Sequence, residues 1–166
     1  MRYNKIIEND VTNGEGVCVS FWVQGCPHHC PGCFNPETWD FDNGELYTPH
    51  TKWEIIKAIN ANGIIRNFSI LGGEPLAPQN LPMTEEVVTA VRAAYPDIKI
   101  FLWTGYKFPN LKTTNEYIKT ILNCTDVIID DKFKEKYKNL NLRLRGSLNQ
   151  RIWEKDSKGI WCESDE

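Results

Sequence analysis

The sequence predicts an α/β fold with a mainly parallel sheet, on three observations. After residue 33, short β-branched and aromatic runs alternate with helix-like stretches at the spacing of repeated βα units. Each run gives way to a short loop rich in glycine, proline or carboxylates. The chain has 166 residues, enough for one domain of ordinary size, taken here as 1–166, and not for two.

The first strand is residues 17–24, which run directly into Gly25 and a cysteine-rich loop. Trp53, Ile56 and Ile59 stand at helical spacing in 51–61, with Asn62-Gly63 as a stop. The apolar run 67–71 is the next strand, closed by Gly72-Gly73-Glu74-Pro75. Thr84 is the expected cap of a helix through Val87, Val88 and Val91 to Tyr95, where Pro96 prevents continuation. Residues 98–103 read as a strand closed by Thr104-Gly105-Tyr106, and a helix over about 114–122 precedes a strand at 126–131 that ends in two carboxylates. From Lys132 the chain is polar and basic, with a last strand expected near 142–145. The special loops thus follow successive strand ends, the edge where parallel α/β proteins bind ligands, so all four can line one site.

Hydrophobic residues at 41% and charged residues at 25% are globular values, which disfavours disorder and coiled coil. Nineteen Lys+Arg against 22 Asp+Glu leave a formal charge of -3, with no strong basic field to hold a nucleic acid. The start of the chain lacks the apolar stretch of a signal peptide, and no run approaches the roughly 18 residues of a membrane span; a soluble cytoplasmic protein is expected.

Six cysteines are too few for a disulfide-stapled scaffold. Cys26, Cys30 and Cys33 fall within eight residues in a C-x3-C-x2-C pattern, while Cys18, Cys124 and Cys162 are scattered. Three soft thiolates on one short loop point to a metal centre. Two centres fit: structural zinc, with His28 or His29 as fourth ligand, or a [4Fe–4S] cluster held at three of its irons. The Cys30/Cys33 pair alone has dithiol oxidoreductase spacing, but that reading leaves Cys26 without a use.

The cysteine spacing followed by the aromatic Phe34 resembles the radical S-adenosylmethionine (SAM) enzymes, and Gly72-Gly73-Glu74-Pro75 matches that family's GGEP motif. The closer resemblance is to the subgroup that activates anaerobic ribonucleoside-triphosphate reductase. It runs through 14–16, 25–39, 72–76, 104–106 and 145–151 and covers nearly the whole chain. The resemblance implies one [4Fe–4S] cluster on Cys26, Cys30 and Cys33, and SAM contacts from Gly32, Cys33 and Phe34 and from Gly72, Gly73 and Glu74. It also implies a reductase partner and a flavodoxin or ferredoxin-type electron donor. SAM would be cleaved to methionine and a 5′-deoxyadenosyl radical, which makes a glycyl radical on the reductase. A full eight-fold barrel needs about 250 residues, so the implied fold is a compact partial (β/α) barrel of about five to six mainly parallel strands, open on one side.

The remaining features have plainer readings. His28 and His29 shape the cysteine loop, and His50 is a helix-start surface residue. Trp22, Trp39, Trp53 and Trp103 are assigned to packing, and Cys162 to a mobile tail. Asp130 and Asp131 suit a cation, SAM hydroxyls or a helix cap; Asp130, Lys132, Arg143 and Arg145 are left without a set role.

Overall fold

Residues 17–24 are apolar on both sides of the pleat, as a strand covered on both faces must be. In the computed structural model, which describes residues 1–111 and 113–164, they form the buried strand β2 (Cys18–Val23). It pairs antiparallel with β1 (Arg2–Asp10), which carries β3 (Glu45–Leu46) on its other edge. On its inner side β2 pairs in parallel with β4 (Asn67–Gly72), followed in parallel by β5 (Ile100–Trp103) and β6 (Val127–Asp130). Two antiparallel strands, β7 (Arg151–Lys155) and β8 (Trp161–Glu163), complete the order β3-β1-β2-β4-β5-β6-β7-β8. Among the described residues the sheet is therefore mixed and has eight strands, against the five to six mainly parallel ones expected; its four central strands are the parallel part.

Three helices connect the parallel strands. Helix α1 (Pro49–Ile59) starts earlier than the periodicity indicates, because Thr48 caps it reciprocally with Thr51 and Pro49 takes the first turn. Helix α2 (Leu81–Ala94) corrects the cap assigned to Thr84: that residue lies inside the helix, and its hydroxyl donates to Pro75 O at 2.7 Å. Helix α3 (Glu116–Cys124) is capped by Asn115, which accepts from Ile118 N at 3.2 Å. Val87, Val88 and Val91 of α2, with Ile55 and Ile59 of α1 and Ile121 of α3, close over Phe21, Phe68, Ile70 and Leu102 on one face of the sheet. Each such fully buried aliphatic side chain contributes about 1.5–3 kcal/mol. Trp22, Leu71 and Trp103 belong to the opposite face, which the helices leave free.

The strand expected near 142–145 is not formed: these residues are bends and irregular backbone, with Leu144 at a left-handed φ of 59°. The Leu-Arg alternation has another cause, since Leu142 and Leu144 border a cavity while Arg143 reaches Glu15 at 2.6 Å and Glu154 at 3.5 Å. Cys162 lies exposed on β8 rather than in a mobile tail. Among the described residues no helix is long and apolar enough to cross a membrane.

Candidate functional site

Parallel pairing of β2 with β4 puts Val23 beside Gly72, so the cysteine loop and the Gly72–Pro75 turn leave the sheet side by side. The pairing continues past the strand ends, with Gly73 N donating to Val23 O at 2.9 Å and Glu74 N to Gly25 O at 2.8 Å. Only glycine fits at 73, because a Cβ there would lie 2.5 Å from Gly25 O. Asn80, buried at the start of α2, bolts the same seam by donating to Gln24 O, Gly25 O and Glu74 O at 3.0–3.3 Å.

The neighbouring strand ends are tied in the same way, by Thr104 N on Ile129 O at 2.9 Å and Asp131 N on Tyr106 O at 3.2 Å. All four strand-end loops consequently meet around one cavity of about 370 Å³, within the usual range of small-molecule sites. Of the residues assigned to the site, Cys30, Cys33, Phe34, Gly72, Gly73 and Glu74 line it, together with Asp131, Lys132 and Arg145. Cys26 and Gly32 stand just outside the lining; Gly32 packs against the Glu135 carboxylate. The face of the sheet not covered by helices supplies an apolar floor in Trp22, Leu71 and Trp103.

All three loop cysteines are free thiols. Burial pushes the Cys26 thiol up to about 11, with the backbone amides of His28 and His29 opposing it. Burial and the neighbouring Cys33 likewise raise Cys30, against the amide of Phe133, and Asn35 N donates to Cys33 Sγ at 3.4 Å. An amide donor on a cysteine sulfur, as Asn35 N provides for Cys33, stabilises an iron–sulfur thiolate, and ligation reverses the cost of ionising the thiols. A cube takes its thiolates on separate irons, and three free thiols on one short loop suit such a cluster.

Glu74 is nearly inaccessible, at 1% exposed, and its carboxylate is saturated by the chain itself. Oε1 accepts from Gly105 N at 2.6 Å, Thr104 Oγ1 at 3.0 Å and His28 Nε2 at 2.7 Å; Oε2 accepts from Leu76 N and Thr104 Oγ1, both at 2.9 Å. Since a carboxylate only accepts, Nε2 is the protonated nitrogen of His28. His29 stacks on Trp39 with centroids 4.6 Å apart, so both histidines shape the loop, and His50 is exposed on α1.

Asp130 is spent structurally, accepting from Phe108 N at 2.7 Å and from Arg151 Nη2 and Nε at 2.6 and 3.1 Å. Asp131 instead borders the cavity; burial pushes its carboxyl up, but the Asn149 amide and Lys132 N outweigh this and hold it below the usual range. Arg143 lies outside the cavity lining, on Glu15. Sequence reasoning missed Thr12 and Asn13, which reach the cavity from the β1–β2 connection, and Leu140. The 145–151 segment was marked in the sequence, but nothing in the spacing marked the others.

A protein-family model described as a 4Fe-4S single cluster domain matches residues 12–153. The chain is 38% identical over 161 residues to the anaerobic ribonucleoside-triphosphate reductase-activating protein of Enterobacteria phage T4, covering 97% of this chain and 98% of that relative. The protein of the same name from Escherichia coli strain K12 is 37% identical, over 90% of this chain and 96% of its own length. The one from Vibrio cholerae is 36% identical, over 92% and 97%.

Proposed function

Since the chain belongs to the family of anaerobic ribonucleoside-triphosphate reductase-activating proteins, with its 4Fe–4S domain, we propose that it is a cytoplasmic radical SAM activase that generates a glycyl radical on such a reductase. The observation that carries this reading is the meeting of the three-thiol loop and the Gly72–Glu74 turn at one cavity.

Cys26, Cys30 and Cys33 would hold the cluster, while Gly32 to Phe34 and the Gly72–Gly73 backbone would seat SAM, with Glu74 fixing that turn. When bound, these cofactors supply one-electron cleavage of SAM, with an electron from a flavodoxin or ferredoxin, to methionine and a 5′-deoxyadenosyl radical that takes hydrogen from a glycine of the reductase. The chain's own part is to bind, orient and exclude water. Trp22, Leu71 and Trp103 give the cavity a dry floor. The Asn80 and Thr84 hydrogen bonds fix the Gly72–Pro75 turn against the cysteine loop, the kind of positioning on which close reacting partners depend. In this reading the sheet is a partial (β/α) barrel whose open side admits the glycine-bearing loop. Phe34, 52% exposed, and Leu140, 76% exposed, stand at the cavity rim where that loop would pass.

The test is to mix the reconstituted protein under nitrogen with the reductase, SAM and dithionite and record the electron paramagnetic resonance spectrum. A glycyl radical signal that requires both SAM and this chain is expected. Its absence, with a reductase that a characterised activase does activate, would refute the reading.

A further inference from the structure

The cysteine loop and the Gly72–Glu74 turn meet in a buried side-chain pair, His28 Nε2 on Glu74 Oε1 at 2.7 Å, with side-chain exposures of 7% and 1%. The His28 ring is held on two further sides. Its edge meets Tyr106 with centroids 4.7 Å apart, and it lies so close to Gly105 that a Cβ there would come within 2.5 Å of His28 Cδ2. Glu74 accepts from three loops at once: His28 of the cysteine loop, Leu76 of its own turn, and Thr104 and Gly105 after β5. A carboxylate so filled has little acceptor capacity left for an incoming ammonium group, and its evident work is to join the loops.

His28 lies between Cys26 and Cys30, so its anchor fixes the middle of the segment that separates two of the thiols. From this geometry, and resting on the function proposed above, we propose that His28 is a positioning residue. Acting through Glu74, it sets the spacing between the cysteine loop and the Gly72–Gly73 turn, and so holds a cluster on the one in register with SAM on the other. Hydrogen-bond partners that orient a metal site from outside its ligand set are typically worth about 10–100-fold in affinity or activity.

The test compares His28→Leu, which keeps bulk and loses the hydrogen bond, with His28→Gln, which keeps a donor, and with His50→Ala as a surface control. Each protein is reconstituted without air and assayed for iron and sulfide. SAM is then titrated into the reduced protein while the paramagnetic resonance of the cluster is followed. His28→Leu should load iron as the unaltered protein does, bind SAM at least about tenfold more weakly, and show a smaller SAM-induced spectral change. His28→Gln should recover most of both, and His50→Ala should match the unaltered protein. Unchanged SAM titration in His28→Leu would overturn the proposal alone. So would equal losses in His28→Leu and His28→Gln, which indicate packing, or loss of iron from both, which indicates a ligand or folding role. If the unaltered protein loads iron and shows no SAM titration, the functional reading falls and this proposal with it.

Discussion

Replacing Cys30 by alanine is expected to take the iron content of anaerobically reconstituted protein from about four per chain to near zero, and Cys26→Ala and Cys33→Ala should do the same. The effect is all-or-none because the loop has no spare thiol. Cys18 is fully buried with its Sγ donating to Glu15 O at 3.4 Å. Cys124 ends α3 beside Arg92 and Lys155, and Cys162 lies on β8. Cys124→Ala should therefore keep full iron and the full visible absorption. Bleaching in Cys124→Ala, or a retained cluster in Cys30→Ala, would show the ligand assignment to be wrong.

The second large effect is expected at Glu74. Alanine there removes the shared acceptor of His28, Thr104, Gly105 and Leu76 at a position that is only 1% exposed. Breaking a buried charged network in this way costs about 3–5 kcal/mol, or a melting temperature lower by roughly 10 °C for a chain of this size. Glu74→Gln should cost less, since it keeps the bulk and one acceptor oxygen. Thermal unfolding followed by circular dichroism decides it: a Glu74→Ala protein as stable as the unaltered one would mean that the carboxylate is not the hub its contacts describe.

The parts of the fold legible in the sequence are those where one physical signal dominates. The central strands β2, β4, β5 and β6 are covered on both faces, so they appear as continuous apolar runs, and each helix shows its apolar stripe. The antiparallel strands that flank them carry no such signal. Strand β1 is interrupted by irregularities between Tyr3 and Lys5 and between Ile7 and Asp10, which breaks its alternation. In β7 the charges of Arg151 and Lys155 are satisfied by Asp130 and by the carbonyls of Leu122 and Asn123, partners distant in the chain. The Leu142–Arg145 alternation imitates a strand because a cavity rim also wants apolar and paired charged groups in turn.

The site divides similarly. That four loops meet follows from the rule of strand ends, and the three thiols stand out by spacing alone. What spacing does not convey is how these loops are held: by Asn80 across the seam, by Thr84 on Pro75, and by a Glu74 that faces its own chain. Those roles belong to side chains far apart in sequence and exist only once the strands pair.

The central claim is that three cysteines of one loop hold a [4Fe–4S] cluster that acts on SAM in the adjoining cavity. The most direct measurement is on the protein reconstituted in a glove box, reduced with dithionite and given SAM, with iron, zinc and nucleoside products quantified in the same sample. About four irons per chain and steady release of 5′-deoxyadenosine with methionine are predicted. One tightly held zinc per chain and no 5′-deoxyadenosine would contradict the account.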